Sequence, residues 1–194
     1  MSYSHRLMVP SPLGDIVVQG TQTHIQYLKF STVDKQPLET QLETQLEPVD
    51  DRADWSKECC LQLKRYFLSQ QFEFDLPIDP QGTEFQQRVW QALLRVQYGS
   101  IASYQQLATD IGNKNAVRAV ASANARNPIW LIIPCHRIIG SDNALRGYAG
   151  GISRKAQLLQ IEHHQLDLEP KQLELKQLEL EQPQVINAKT KILR

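Results

Sequence analysis

A cysteine with two functional neighbours is the first place in this chain where chemistry is expected. Pro134-Cys135-His136-Arg137 places a thiol beside an imidazole and a guanidinium group. The thiolate is the reactive form of cysteine, and an adjacent imidazole can remove the thiol proton. We therefore expect the neighbours of Cys135 to lower its pKa from about 8.5 into the physiological range. Cysteine in an apolar segment is more commonly an inert packing residue, but His136 and Arg137 favour the reactive interpretation.

The segment before this cysteine must position it. The pair Asn127-Pro128 ends a helix, because the residue before proline is pushed out of helical geometry. The apolar run from Ile129 to Ile133 then predicts a short buried strand. A thiol at the end of such a strand would have a rigid support and would still face a cleft.

The segment after the cysteine combines glycines with a helix. The glycines within 147–151 allow a loop to approach a flat ligand closely. A helix is predicted from Ser153 to Glu162, and the Glu162 carboxylate could orient His136 in a Cys-His-Glu relay. Spacing alone would instead make Glu162 an ordinary exposed helix residue.

Metal and cofactor chemistry are not indicated. Zinc sites use about four ligands at characteristic spacings, and the sequence contains no CxxC or HxxxH motif. We predict no metal and no cofactor. Cys59 and Cys60 are adjacent, and the total of three cysteines is odd, which favours a reducing compartment. With no apolar stretch typical of a signal peptide or membrane span, we expect a cytoplasmic protein, or a nuclear one if the source is eukaryotic.

The predicted N-terminal domain covers residues 1–80. Apolar and polar residues alternate from Tyr3 to Phe30 between Pro and Gly breaks, which predicts a small antiparallel meander. Residues 38–50 include a five-residue repeat and are predicted to be a low-complexity loop. A helix is predicted from Trp55 to Ser69. Its apolar stripe consists of Cys59, Leu63 and Phe67.

The second predicted domain, residues 81–165, is mainly helical. Its helix starts are marked by Thr83 with Gln86, Ser103 with Gln106, and Asn115 before a helix from Ala116 to Ala125. Gly112 ends the middle helix. Two short helices joined by a tight glycine turn predict a helix-turn-helix, with an ordinary helical hairpin as the alternative. Residues 166–194 form a low-complexity tail predicted to be disordered, and the predicted fold class is α+β.

Any binding to nucleic acid must use a local patch, because 21 basic and 21 acidic residues leave a formal net charge of zero. The second helix of the predicted helix-turn-helix supplies such a patch. Its small side chains would let the backbone approach a phosphate chain, and its cations would neutralise the phosphates. The residues of this recognition-helix set are Lys114, Arg118, Ala119 and Arg126.

The ordered motifs of residues 82–162 resemble the O6-alkylguanine-DNA alkyltransferases, also called methylated-DNA–protein-cysteine methyltransferases. The motifs are Gly82-Thr83-Glu84-Phe85-Gln86, Val89-Trp90, Tyr98-Gly99, Ser103-Tyr104-Gln105-Gln106-Leu107-Ala108, Ala116-Val117-Arg118-Ala119-Val120, Asn127-Pro128, Ile133-Pro134-Cys135-His136-Arg137, Gly147-Tyr148 and Gly150-Gly151. The N-terminal Ser11-Pro12-Leu13-Gly14 is compatible with the family's variable small domain.

The resemblance implies DNA repair by direct damage reversal. The alkyl group of O6-alkylguanine, and of O4-alkylthymine, would pass irreversibly to Cys135, once per molecule. His136 would act through a water as the base, and Glu162 would orient it. Asn127 would brace the active-site turn, and Tyr104 would donate to the guanine ring so that the base leaves neutral.

The resemblance also implies how the damaged base is held. The main-chain carbonyls of Cys135 and Ile138 would bind the exocyclic amine, and the Tyr148 to Gly151 loop would close over the base with the Ala149 amide near O6. Arg118 would fill the stack when the nucleotide is flipped out. The implied partner is double-stranded DNA with alkylated bases, bound by a monomer through the minor groove and without a membrane.

Four positions depart from the family pattern: Gln97 and Lys114 where proline is common, Ala121 where glycine is usual, and Ala149 where some members have serine. Only Ala149 touches the implied site. One rival hypothesis is a damage sensor that flips the base without repairing it, but such relatives lack the acceptor cysteine. Another is a Cys-His hydrolase that turns over many times.

Overall fold

The computed structural model describes residues 3–31, 53–70, 72–142 and 144–167. The predicted loop at 38–50 and positions 168–194 of the predicted tail lie outside the described residues. The first two positions of that tail, 166 and 167, belong instead to a helix.

The N-terminal part contains the predicted antiparallel meander. Strands β1 (His5–Val9), β2 (Ile16–Gly20) and β3 (Ile25–Phe30) lie in the order β1-β2-β3, with both neighbouring pairs antiparallel. Buried and more exposed residues alternate along β2, as expected for a sheet with one face on the core. The alternation in the sequence therefore correctly predicted a sheet with one buried face.

Helix α1 (Ser56–Phe67) follows in the described chain and packs as predicted. Cys59 and Leu63 have no exposed surface, whereas Cys60 is half-buried. Tyr66 lies on the same buried face. The indole nitrogen of Trp55 donates to the carbonyl of Thr21 at 2.9 Å, which ties the start of α1 to the turn between β2 and β3.

The C-terminal part is mainly helical and confirms the predicted α+β class. Its elements are α2 (Glu84–Leu93), β4 (Ala102–Ser103), α3 (Tyr104–Asp110), α4 (Val117–Ala125), a 3₁₀ turn (Cys135–Arg137), β5 (Ile138–Ile139) and α5 (Ile152–Asp167). Strands β4 and β5 pair in parallel. The helices α3 and α4, joined through Gly112 at φ +78°, form the helix-turn-helix.

The capping predictions have three outcomes. Thr83 and Gln86 form the predicted capping box, because each side chain bonds the other's main-chain amide. Ser103 accepts from the Gln106 amide at 3.0 Å, but the Gln106 side chain donates to the neighbouring helix residue Asp110. The prediction that Asn115 caps α4 is wrong: the N-cap is Ala116, which has no side chain able to cap.

The predicted strand at 129–133 is also wrong. Only Ile129 bridges to Leu28, and the chain then turns, with Leu131 at φ +68° and the Ile133 amide bonded to the Ile129 carbonyl at 3.0 Å. The apolar run predicted burial correctly, because every residue from Ile129 to Ile133 is buried. An apolar run reports burial and not backbone conformation, since a folded-back turn buries the same side chains as a strand.

One hydrophobic core joins the two parts of the chain. It contains Leu28 from β3, Leu63 from α1, Trp90 from α2 and Ile133 beside the candidate nucleophile. The turn that carries Cys135 therefore rests on the N-terminal sheet as well as on the helices. No helix in the described ranges is both long and apolar enough to span a bilayer.

Candidate active site

The candidate nucleophile lies in the 3₁₀ turn, at the end of the folded-back segment. Cys135 is 3% exposed, and its neighbour His136 is fully buried. The buried side chain of Asn127 holds this segment: its Nδ2 donates to the Ile133 carbonyl at 2.7 Å, and its Oδ1 accepts from the Ile129 amide at 3.0 Å. A single amide thus closes the turn immediately before Cys135.

His136 and Glu162 are brought together from two elements. The Nε2 atom of His136 lies 2.8 Å from Oε1 of Glu162, which is fully buried on α5. An ionised carboxylate only accepts hydrogen bonds, so Nε2 must carry the proton and Nδ1 is left with its lone pair. Nδ1 has no hydrogen-bond partner among the described residues. The imidazole is therefore oriented as a base.

Arg137 holds the carboxylate of Glu162 in place. Its Nε donates to Oε2 of Glu162 at 2.9 Å and its Nη2 to Oε1 at 3.0 Å, while Nη1 donates to the Val96 carbonyl at 2.7 Å. Such a two-pronged contact is the strongest common form of carboxylate recognition. Tyr66 on α1 adds a donor at 2.9 Å, and the Gly99 amide adds one at 3.3 Å.

The pKa values follow from this network. Burial alone would raise the pKa of Glu162, but the hydrogen bonds and charges of His136 and Arg137 outweigh it and hold the pKa at about 2. Burial lowers the pKa of His136 against the opposing effect of Glu162. At neutral pH the site therefore holds an ionised glutamate and a neutral histidine.

The expectation of a low cysteine pKa is wrong for the free protein. Burial raises the pKa of Cys135 to about 11, and the hydrogen bond from Asn127 and the charge of Lys155 only partly oppose this. His136 is neutral and so offers no positive charge to stabilise a thiolate. At rest the sulfur therefore carries its proton.

Lys155 is a buried cation that the sequence reasoning missed. It lies on α5, has no exposed surface, and its ammonium group donates to the carbonyls of Ile138 and Arg146, the latter at 2.7 Å. Burial lowers its pKa to about 8. Lys155, Leu158 and Glu162 are all buried and lie on one face of α5, at positions i, i+3 and i+7. Their helical spacing was the sequence signal that could have predicted the burial of Lys155 and Glu162 beside Leu158.

Tyr104, Tyr148 and Ala149 border the same site. The Tyr104 hydroxyl, at the start of α3, lies 3.4 Å from the carbonyl oxygens of Arg146 and Gly147. Tyr148 is 8% exposed and lies 6.5 Å from the His136 ring, centroid to centroid, whereas Ala149 is exposed. Burial, and to a lesser degree the charge of a Cys135 thiolate, raise the pKa of both tyrosines.

A close approach of backbone and rings shapes the loop next to Tyr148. A Cβ added to Gly150 would lie 2.6 Å from Cε1 of Tyr148 and 2.9 Å from Cζ3 of Trp130. The two rings are 5.3 Å apart, centroid to centroid. Glycine is thus required where the loop passes over this aromatic pair.

The recognition-helix set is on the surface. Lys114, Arg118, Ala119 and Arg126 are exposed on α4 or just beyond its ends, whereas Val120, Ala123 and Asn124 face the core. The helix thus presents cations and small side chains outward, as the sequence predicted. In the described part of the chain, no three His, Cys, Asp or Glu side chains gather as a metal site would require.

Comparisons with known proteins lead to one family. Residues 84–164 match the family model "6-O-methylguanine DNA methyltransferase, DNA binding domain", and residues 5–80 match the model of that protein's "ribonuclease-like domain". A methylated-DNA–protein-cysteine methyltransferase of Methanosarcina barkeri is 39% identical over 82% of this chain and 97% of its own length. The constitutive enzyme of that name from Bacillus subtilis is 40% identical over 78% of this chain and 91% of its own.

Solved structures lead to the same family. A single-residue variant of the Mycobacterium tuberculosis O6-methylguanine methyltransferase has a TM-score of 0.73 at 38% identity, covering 87% of this chain and 98% of that one. The M. tuberculosis protein solved in complex with DNA has a TM-score of 0.69 at 36% identity, covering 83% and 94%. This chain therefore belongs to the 6-O-methylguanine DNA methyltransferase family.

Proposed function

We propose that this protein is a methylated-DNA–protein-cysteine methyltransferase that repairs O6-alkylguanine, and O4-alkylthymine, in double-stranded DNA by moving the alkyl group to Cys135. The observation that carries the proposal is the buried relay in which Glu162 fixes the tautomer of His136 beside the thiol. This arrangement leaves Nδ1 of His136 as a proton acceptor within the site. Family membership supplies the substrate class.

The chemical step balances with the groups that are present. His136 takes the thiol proton of Cys135 through a water, and the sulfur attacks the alkyl carbon, so that a C–S bond forms as the C–O6 bond breaks. The electrons of that bond pass to the guanine, which Tyr104 protonates. The proton on His136 then replaces, through solvent, the one that Tyr104 gave. The products are a thioether and an unmodified guanine.

The surrounding residues have roles in this proposal that the family resemblance implies and that their positions allow. Asn127 keeps the nucleophile in place by closing the turn before it. Tyr148 and Ala149 form the loop over the base, with the Ala149 amide near O6. The carbonyls of Cys135 and Ile138 bind the exocyclic amine. The Ile138 carbonyl also accepts from Lys155, and a carbonyl oxygen has a second lone pair for the amine.

DNA is bound by the exposed face of α4. Its cations contact phosphates, and its small residues permit close entry into the minor groove. Arg118 occupies the place of the extruded nucleotide, which otherwise leaves an unstacked gap in the duplex. A protein that becomes alkylated in one step needs no metal and no cofactor, and we propose that it acts as a monomer in the cytoplasm.

The test is a single-turnover reaction with a duplex that contains O6-methylguanine labelled in its methyl group. We expect each protein chain to gain the mass of one methyl group, located on Cys135 by peptide mapping. The Cys135→Ala variant should gain none. Cys60→Ala is the matched control, because Cys60 is half-buried and remote in sequence, and it should react like the parent protein.

Other outcomes would identify the rival functions. Label released as methanol with repeated turnover would mean a hydrolase. Tight binding of the lesion without any transfer would mean a damage sensor. Label on Cys60 would also contradict the proposal.

A further inference from the structure

Three donors share one oxygen of the Glu162 carboxylate. Oε1 lies 2.8 Å from Nε2 of His136, 2.9 Å from the Tyr66 hydroxyl and 3.0 Å from Nη2 of Arg137. Oε2 accepts from Nε of Arg137 at 2.9 Å and from the Gly99 amide at 3.3 Å. An ionised carboxylate offers about four lone-pair sites, two on each oxygen. The donors at Oε1 therefore outnumber its lone pairs, and each bond there is weaker than an unshared one.

Tyr66 is the donor that comes from the N-terminal part of the chain. It lies in the last turn of α1, has no exposed surface, and is 96 positions from Glu162. Because an ionised carboxylate only accepts, the hydroxyl must donate. Burial, followed by the charge of Glu162, raises the pKa of Tyr66 well above its ordinary value. The hydroxyl therefore keeps its proton, and remains a donor, throughout the pH range in which histidine titrates.

The donor at Oε1 affects how strongly Glu162 favours a charged His136. A carboxylate that accepts from an imidazole N–H stabilises the imidazolium, which could not take a thiol proton. A second donor on the same oxygen offsets part of its negative charge and so favours the neutral imidazole. Burial lowers the pKa of His136, and Arg137 and Lys155 act in the same direction while Glu162 opposes them. The titratable and charged side chains around this pair are Cys135 and Arg137 on the 3₁₀ turn, Lys155 on α5, Tyr148 on the loop, and Tyr66 and Tyr98 near the carboxylate.

We propose that Tyr66 is a positioning residue of the reaction: its hydroxyl shares Oε1 of Glu162 with His136, and this sharing keeps the imidazole neutral and able to accept the thiol proton. The inference rests on the proposed function. It gives the N-terminal part a direct connection to the chemistry, because α1 reaches the relay that the 3₁₀ turn and α5 form. If Tyr66 only filled the core, its ring would be needed but its hydroxyl would not.

The test compares the parent protein with Tyr66→Phe, which removes the hydroxyl and keeps the ring. Single-turnover methyl transfer from a duplex with O6-methylguanine is measured from about pH 4.5 to about pH 8.5, on both sides of the ordinary histidine pKa. We expect the midpoint of the fall in rate at acid pH to rise by about half a pH unit or more in Tyr66→Phe, because a hydrogen bond to a charged group is equivalent to about one pH unit and His136 feels part of it. At about pH 8 both proteins hold a neutral imidazole, so their rates should agree within about twofold.

The matched control is Tyr98→Phe. The Tyr98 hydroxyl is also buried, but it has no hydrogen-bond partner in the described part of the chain, and its ring lies 6.2 Å from that of Tyr66, centroid to centroid. Tyr98→Phe should therefore keep the midpoint of the parent protein. A midpoint that moved equally in both variants would contradict a specific role for Tyr66.

A second measurement follows His136 itself. Nitrogen NMR of its imidazole in the unreacted protein gives the titration midpoint directly, and this midpoint should also rise in Tyr66→Phe. If Tyr66→Phe does not fold, replacing Tyr66 by a ring-fluorinated tyrosine, whose more acidic hydroxyl is a stronger donor, should lower the midpoint instead.

The outcomes that overturn the inference differ from those that overturn the proposed function. A uniform loss of rate at every pH with an unchanged midpoint would assign Tyr66 to packing alone, and an unchanged profile would remove its role altogether. If the parent protein transferred no methyl group to Cys135, the proposed function would fail, and the NMR titration would still show separately whether Tyr66 acts on His136.

Discussion

Replacing Glu162 by glutamine should cost stability in a pH-dependent way. The carboxylate is fully buried and accepts hydrogen bonds from Tyr66, Gly99, His136, and the Nε and Nη2 atoms of Arg137. Glutamine has a similar shape, but its NH₂ group would face the donors of Arg137. Removing one partner of a buried ion pair leaves an uncompensated charge, which generally costs about 3–5 kcal/mol.

The pKa of Glu162 gives a second route to the same magnitude. The fall from its ordinary value of 4.5 to about 2 in the folded protein corresponds to about 3 kcal/mol. Because the folded-state pKa is the lower one, this stability is present above pH 4.5 and is lost as the pH falls towards 2. The advantage of the parent protein over Glu162→Gln should be about 3 kcal/mol at pH 7 and about 2 kcal/mol near pH 3.5.

Urea unfolding followed by tryptophan fluorescence at the two pH values measures this difference. Glu84→Gln is the matched control, because Glu84 is exposed at the start of α2, and it should cost less than about 1 kcal/mol. The reasoning is refuted if Glu162→Gln is as stable as the parent at pH 7. It is also refuted if the difference between the two proteins stays constant between the two pH values.

Two further predictions concern the reaction. The single-turnover rate should be flat through neutral and mildly alkaline pH and should fall only below pH 6.5, because burial keeps the pKa of His136 under that ordinary value; a tenfold rise per pH unit above pH 7 would instead mean direct attack by a pre-formed Cys135 thiolate. Arg118→Ala should slow transfer from a duplex lesion by about tenfold or more, since base extrusion costs a few kcal/mol, and should leave transfer from the free O6-methylguanine base unchanged. Equal losses on duplex and free base would remove its role in extrusion.

The helix-turn-helix could be predicted from sequence because its signals are local. Ser103, which accepts from the Gln106 amide, and the glycine at 112 act within one turn of α3, and the structure uses both as predicted. The cap at Asn115 was wrong because the chain enters α4 one residue later, at Ala116. Local signals thus identified the elements but not every boundary.

The contacts within the candidate site could not be predicted from local sequence patterns, because they join residues that are far apart in the chain. The pair of His136 and Glu162 spans 26 positions, and the resemblance favoured it where spacing did not. Tyr66 and Arg137 reach the same carboxylate from α1 and from the 3₁₀ turn, and no spacing rule connects these elements. The pKa of Cys135 was misjudged for a related reason: its neighbours in sequence are visible, whereas the burial that dominates arises from tertiary packing.

The burial of Cys135 also bears on how long an unused molecule keeps its capacity to act. A pKa of about 11 leaves roughly one thiolate in ten thousand at pH 7. Peroxides and small electrophiles attack the thiolate and must reach the sulfur to do so. Cys135 is rarely ionised and only 3% exposed, so it meets neither condition well. For a protein that can react only once, this shielding slows the loss of the acceptor sulfur to reactions other than repair.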